Sequence, residues 1–227
     1  MGPGPPPDTD EARRRYRRRA SGYDGHIRVV APLRRRVVER LGLREGAHVL
    51  DMGCGTGASF GQLRSIVGAT GQVTGVDLSE EMAAVARRRV DDERWDNVEV
   101  VVGDAATAPL PSDVDGILFF ETHDLMRTPA VVARAVAAGR PGASVVAFGP
   151  ASAAPRWAFP VNAIVRSVAR RYVTTFEGFD APWSHLEAEV PGLRVRRLFL
   201  GGAYFAVGRT EAEDGPPGPT RPAGGRA

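Results

Sequence analysis

"HVLDMGCGTG", residues 48–57, sets an apolar run, an acid at Asp51 and glycines at Gly53, Gly55 and Gly57 in close succession. The run has the composition of a buried strand. Glycine behind it lets the backbone turn sharply and approach a ligand closely, and a helix starting just beyond would add unpaired N–H groups and a positive dipole end. The order of these residues narrows the ligand. A dinucleotide loop reads Gly-x-Gly-x-x-Gly and holds a pyrophosphate, whereas here the glycines alternate and an acid stands in front of them. A carboxylate repels a pyrophosphate and attracts an ammonium group.

Outward from this stretch, short apolar runs alternate with amphipathic ones. "AHVLDMG" (47–53), "QVTGVDL" (72–78), "VEVVVGD" (98–104), "DGILFFE" (115–121) and "ASVVAFG" (143–149) read as strands of a parallel sheet covered on both faces. Helices are expected over 57–68, 79–92 and 128–139. The second opens on Ser79 as N-cap with Glu80 and Glu81 in its first turn, and the third has Pro129 at its first position and Gly139 after its end. This alternation predicts an α/β doubly wound sheet, with ligands on the rim where the strands end. Asp51, Asp77, Asp104 and Glu121 all stand at such ends. Farther on, 193–202 and 203–209 read as two strands meeting at Gly201–Gly202, an antiparallel hairpin closing the sheet.

The acids suggest roles. Asp51 before the glycines suits a ligand end carrying a carboxylate and an amine, such as the methionine part of S-adenosylmethionine, and the glycine spacing disfavours a nicotinamide dehydrogenase. Asp77 can accept both hydroxyls of a ribose, with Leu78 and Met82 as an apolar wall against an adenine. Asp104, with Ala105 beside it, can accept from the adenine amino group. Each acid could equally be a cap or loop residue; their convergence on one rim favours the site.

In order and spacing, "VLDMGCGTG", "VTGVDLS", "VVGDA" and "RPGASVVAFG" resemble the motifs of class I S-adenosylmethionine-dependent methyltransferases. The nearest flavour is the ubiquinone/menaquinone-biosynthesis type that acts on small molecules. Arg140 and Ala143 depart from the family's Lys-Pro-Gly-Gly turn. The resemblance covers about residues 20–150. It implies a seven-stranded Rossmann-like sheet, mostly parallel with an antiparallel last strand, and an N-terminal helix folded over the cofactor. It also implies cofactor contacts from Tyr23 in "SGYDG" and from Asp51, Gly53, Cys54, Gly55, Asp77 and Asp104, with Cys54 acting through its backbone. Ala105 and Glu121 complete that set. "FFETHDLM" (119–126) lacks the Asn/Asp-Pro-Pro-Tyr/Phe motif of enzymes that methylate base amino groups or glutamine, and the quinone enzymes' own pattern is not reproduced there either.

Methyl transfer is an in-line displacement at a sulfonium carbon, and a base is needed when an O–H or acidic C–H must be ionised. His123 is the candidate base by position and intrinsic pKa, with Glu121 and His185 beside it as further candidates. A hydrogen-bonded loop histidine is the plain alternative, and His26 and His48 read as structural. No metal site is expected. The segment 151–183 is rich in aromatics (Trp157, Phe159, Phe176, Phe179, Trp183), as a cover for a flat or lipid-like acceptor would be. Packing of a small cap explains them as well.

Composition sets the frame. A chain of 227 residues with 43% hydrophobic and 25% charged residues fits one globular domain. The reading is a Pro/Gly-rich tail over 1–10, a domain over 11–210 and a second tail over 211–227. Within the domain, 11–45 form lid helices, 46–150 the cofactor core, 151–190 a substrate cap and 191–210 the hairpin. One cysteine, no bilayer-length apolar run and no signal-peptide core point to the cytoplasm. Net charge is +3, and every one of the 30 basic residues is arginine. "RRRYRRR" (13–19) reads as a solvated helix face, so nucleic acid is disfavoured as a partner. "VNAIVRSVARRYV" (161–173) leaves contact with an anionic membrane surface open. The expected activity is methyl transfer from S-adenosylmethionine to a small hydrophobic or aromatic acceptor, by a monomer or homodimer. A phospholipid or quinone acceptor, or a non-transferring binding protein of the same fold, stands as the alternative.

Overall fold

The computed structural model describes residues 24–152, 159–170 and 176–212. The expected tail over 1–10, most of that over 211–227, the arginine run 13–19, Tyr23 and Trp157 lie outside the described residues.

Helix α1 (Asp24–Glu39) leads into β1 (His48–Met52), α2 (Phe60–Val67), β2 (Gln72–Asp77), α3 (Glu80–Asp92) and β3 (Val98–Val102). Then come β4 (Val114–Phe120), the short α4 (His123–Met126), α5 (Pro129–Ala137) and β5 (Gly139–Pro150). Helices α6 (Phe159–Ala169) and α7 (Ser184–Glu189) precede the hairpin of β6 (Arg194–Leu198) and β7 (Ala203–Arg209). The seven strands lie in the order β3-β2-β1-β4-β5-β7-β6. The first five are parallel, and β7 runs antiparallel to both β5 and β6.

Alternation along the strands sends consecutive side chains to opposite faces. Leu50, Met52, Ile117 and Phe119 pack into a core with Val131, Val132 and Ala135 of α5 and Leu186 of α7. Val49, Leu118 and Phe120 pack instead with Val37 and Val38 of α1, Leu41 just after it, and Phe60, Leu63 and Val67 of α2. Asp51 shares the parity of Val49, so its side chain is directed into the α1–α2 layer.

Local rules explain most boundaries. Ser79 caps α3 by accepting the Met82 N–H through its hydroxyl at 3.3 Å, and Pro129 sits in the first turn of α5. Helix α5 stops at Ala138 rather than Gly139, because Gly139 already pairs with Val114 at the start of β5. Four residues after β4 form the separate helix α4. The hairpin differs from two strands meeting at the glycine pair: β6 ends at Leu198, and Phe199–Gly201 make a 3-10 turn with Phe199 and Leu200 at φ 50° and 56°.

Candidate cofactor and acceptor site

The loop after β1 is fixed from both sides. The Gly53 and Cys54 N–H groups both donate to the Val76 carbonyl, at 2.8 and 3.1 Å. The Gly55 N–H donates to Asp77 Oδ2 at 2.8 Å, and the Ser79 N–H to Asp77 Oδ1 at 2.9 Å. The Asp77 carboxylate thus ties the glycine loop to the start of α3. Burial raises its pKa, and these two N–H donors oppose the rise.

The three glycines do different work. A Cβ on Gly53 would come within 2.6 Å of Thr122 Cγ2, so the loop is pressed against the segment after β4. A Cβ on Gly57 would meet the Phe60 ring at 2.5 Å. At Gly55, with φ +56°, the nearest atom would be the Met82 methyl at 3.9 Å. Only at Gly55 does the missing side chain leave room over the backbone. Met82 is buried against this loop, and Leu78 is half-buried beside Asp77.

A cavity opens over the loop, lined by Asp51, Gly53, Cys54, Gly55, Thr56, Ser59 and Phe120, with Arg34 reaching in from α1. Asp51 is 2% exposed and Arg34 5%. The Arg34 guanidinium lies over the Phe120 ring, 4.6 Å from its centroid, and Phe120 stacks on Phe148 at 5.2 Å. Asp51 Oδ2 and Thr56 Oγ1 are buried with no hydrogen-bond partner. Burial lifts the Asp51 carboxyl from 3.8 to about 7; the Arg34 charge opposes the rise and the Asp77 charge adds to it. A buried acceptor atom left unsatisfied is costly unless a ligand supplies the donor. An acid and a guanidinium in one small cavity are the complement of an ammonium and a carboxylate on one molecule. That set fits the amino-acid end of S-adenosylmethionine.

Sequence reasoning missed Arg34, Thr56 and Phe120. Arg34 falls on the apolar stripe of α1 between Val30 and the pair Val37 and Val38, and a charge on a buried stripe was the available signal. Cys54 lines the cavity, but its N–H serves β2 and its thiol is buried. Burial, with Asp77 and Asp51, raises that thiol well above its ordinary pKa.

Farther along the rim, Asp104 Oδ1 accepts from the Ala106 N–H at 2.9 Å, shaping the turn after β3. Arg134 of α5 pins that turn through the carbonyls of Ala105 and Ala108. Glu121 ends β4 at φ 59°, a left-handed backbone that costs a residue with a Cβ, and its N–H donates to the Phe148 carbonyl at 2.7 Å. His123 is 4% exposed, its ring tilted against Phe179 at 4.3 Å, and Phe179 packs on Phe176 at 5.0 Å. Arg127 pairs with Glu177 at 3.5 Å, and the Ser152 N–H donates to the Phe179 carbonyl at 2.6 Å. These contacts seat the segment from Phe176 over α4. His185 lies on α7, whose Leu186 joins the core on the sheet face opposite Asp51. His48 stands at the far end of β1, its ring on the Thr74 hydroxyl at 3.0 Å. Among the described residues no group of His, Cys, Asp and Glu could hold a metal ion.

A Rossmann-like sheet in this strand order, with a polar cavity over the loop after β1, has the class I methyltransferase architecture. Comparison with known proteins agrees. Residues 49–142 match the family described as "Methyltransferase domain". A demethylmenaquinone methyltransferase of Staphylococcus aureus is 42% identical over 76 residues, 34% of this chain and 31% of that protein. The match thus spans about a third of that relative's length. A solved SAM-dependent methyltransferase from Aquifex aeolicus is 26% identical with a TM-score of 0.57, covering 78% of this chain and 89% of its own. Phosphoethanolamine N-methyltransferase 2 of Haemonchus contortus, solved with phosphomonomethylethanolamine and S-adenosylhomocysteine, shares the fold at 19% identity and a TM-score of 0.59, over 80% of this chain and 53% of that one. Over residues 49–142 the chain carries a methyltransferase domain, and in sequence and fold it resembles the S-adenosylmethionine-dependent methyltransferases.

Proposed function

We propose that this protein transfers the methyl group of S-adenosylmethionine to a small hydrophobic or aromatic acceptor. The observation that carries the cofactor half is the buried, unpartnered Asp51 Oδ2 sharing a cavity with Arg34. Asp51 would receive the ammonium and Arg34 the carboxylate. The lone pairs of Asp77 not used by Gly55 and Ser79 would receive the ribose hydroxyls. Leu78 and Met82 would flank the adenine, and Asp104 and Ala105 would meet its edge.

Bound there, S-adenosylmethionine supplies an electrophilic methyl carbon on a sulfonium. The chain's own part is to hold the acceptor in line and to take a proton where the acceptor must lose one. In this reading His123 accepts that proton on an imidazole nitrogen, beneath Phe179, and Glu121, directly after β4, is the further candidate. The aromatic cap of Phe176 and Phe179 suits a flat apolar acceptor and keeps water from the imidazole. A quinone or a phospholipid head group is the second reading, favoured by what the Staphylococcus and Haemonchus proteins are named for.

Methyl-labelled S-adenosylmethionine incubated with the protein and a bacterial extract tests both halves. Label in organic-soluble product supports the apolar acceptor. Label on protein or nucleic acid refutes it, and absence of S-adenosylhomocysteine with every acceptor fraction makes the protein a binder that does not transfer.

A further inference from the structure

Phe199 and Leu200 are 65% and 68% exposed, and both hold positive φ. Left-handed backbone at an exposed turn ordinarily falls to Gly, Asn or Asp, because a large side chain there costs stability. Here it is occupied twice in succession by large apolar residues that bury little in return. Fold stability does not account for them.

Their position does. Ala203 pairs with both Pro150 and Leu198, so the ends of β5 and β6 stand level, and the turn projects from the rim that carries Asp51, Asp77 and Glu121. The third large apolar residue exposed among those described, Phe159 at 77%, opens α6, whose Val165 and Ala169 pack on Phe176 and Phe179 of the cap over that rim. From Arg194 to Arg209 the hairpin has four arginines and no acid. Arg194 and Arg196 are exposed and form no ion pair with any described residue. Two apolar side chains on a narrow turn bury far less than the ~800 Å² per partner of a stable protein interface. They suffice, beside arginines, to enter the head-group region of an anionic bilayer.

We propose that the Phe199–Leu200 turn docks the cofactor rim on an anionic lipid surface. The docking stands whether or not the methyl-transfer reading holds. The full chain is sedimented with phosphatidylcholine vesicles with and without phosphatidylglycerol, beside the double variant Phe199→Asn/Leu200→Asn. Asparagine tolerates left-handed φ, so that variant should melt no lower than the parent. The parent should sediment with the anionic vesicles and the double variant should bind roughly tenfold or more weakly, having lost two buried apolar groups. Arg194→Gln/Arg196→Gln should weaken binding roughly 30-fold, as about 1 kcal/mol for each of two surface charges converts. No binding of the parent to anionic vesicles overturns the proposal, as does undiminished binding by the Asn variant. A lowered melting temperature in that variant would assign the turn to the fold instead. Self-association abolished by it, without vesicle binding, would assign the turn to a second copy of the chain.

Discussion

Replacing Asp51 by Asn should stabilise the empty protein and cripple it as a binder. Asp51 is 2% exposed, and its Oδ2 finds no donor. Its carboxyl is lifted from 3.8 to about 7, mainly by burial. At about 1.36 kcal/mol per pH unit, holding it ionised in the fold costs up to ~4 kcal/mol. The sign follows from proton linkage. Between pH 3.8 and about 7 the folded chain holds a proton that the unfolded chain has released, so this group's contribution falls as pH rises through that window and levels off above it. Asn has no such dependence. The variant should match the parent near pH 4 and melt higher at pH 8, by at most ~8–16 °C at 2–4 °C per kcal/mol for a chain of this size.

Binding should move the opposite way. S-adenosylhomocysteine carries the same ammonium and carboxylate as the methyl donor and permits no turnover. Its affinity for the parent should fall about tenfold per pH unit below about 7, because Asp51 must shed its proton to receive the ammonium. In Asp51→Asn the affinity should be weaker by ~1.5–3 kcal/mol at pH 8 and should lack the tenfold-per-unit fall that Asp51 imposes on the parent. Calorimetric titration beside thermal melts at pH 5 and pH 8 reads both effects. Asp77 is also raised and will tilt both proteins' curves, so the difference between variant and parent is the quantity to compare. A variant that melts no higher at pH 8 and binds S-adenosylhomocysteine as well as the parent would refute the assignment of Asp51 to the ammonium.

Arg34→Met should weaken S-adenosylhomocysteine by ~1.5–3 kcal/mol through the lost carboxylate partner, and unchanged affinity by calorimetry would remove Arg34 from the site. Gly53→Ala, whose methyl would lie 2.6 Å from Thr122 Cγ2, should lower stability by ~2–3 kcal/mol in denaturant melts. Gly55→Ala, with open space around it, should cost only the ~1–2 kcal/mol of its left-handed φ while weakening the ligand; equal losses of stability would contradict the division of labour between the glycines. Asp77→Asn presents an amide nitrogen to one of its two N–H donors and should lower stability by ~1–2 kcal/mol in addition to weakening the ligand. His123→Ala should depress kcat on the true acceptor by ~100-fold or more with S-adenosylhomocysteine affinity unchanged, and an unaltered kcat would exclude it as the base.

The sheet was legible because buried parallel strands leave near-continuous apolar runs, and the rim because acids recur where those runs stop. The Ser79 cap was legible for the same local reason: one side chain serves one helix terminus. What escaped the sequence is tertiary. Gly53, Gly55 and Gly57 look equivalent in a string of letters, and Thr122 and Phe60, folded against two of them, set them apart. Phe199 and Leu200 read as strand because they continue an apolar run from Leu198, yet the chain leaves the sheet after Leu198.

The residues proposed to act are those that violate the local rules the rest of the chain obeys. Asp51 is a carboxylate buried without a donor, and Arg34 is a guanidinium on the apolar stripe of α1. Glu121, Phe199 and Leu200 hold left-handed backbone that glycine would hold at less cost. Stability is lost at each, and a fold selected for stability alone would remove them one by one. They share the rim at the ends of β1, β4 and β6, with Arg34 reaching it from α1, while the far end of the sheet keeps conventional partners such as His48 on Thr74. That concentration supports the proposed reading of the rim as the working surface of the protein, in which Asp51 and Arg34 receive the cofactor and the Phe199–Leu200 turn faces outward from the same edge.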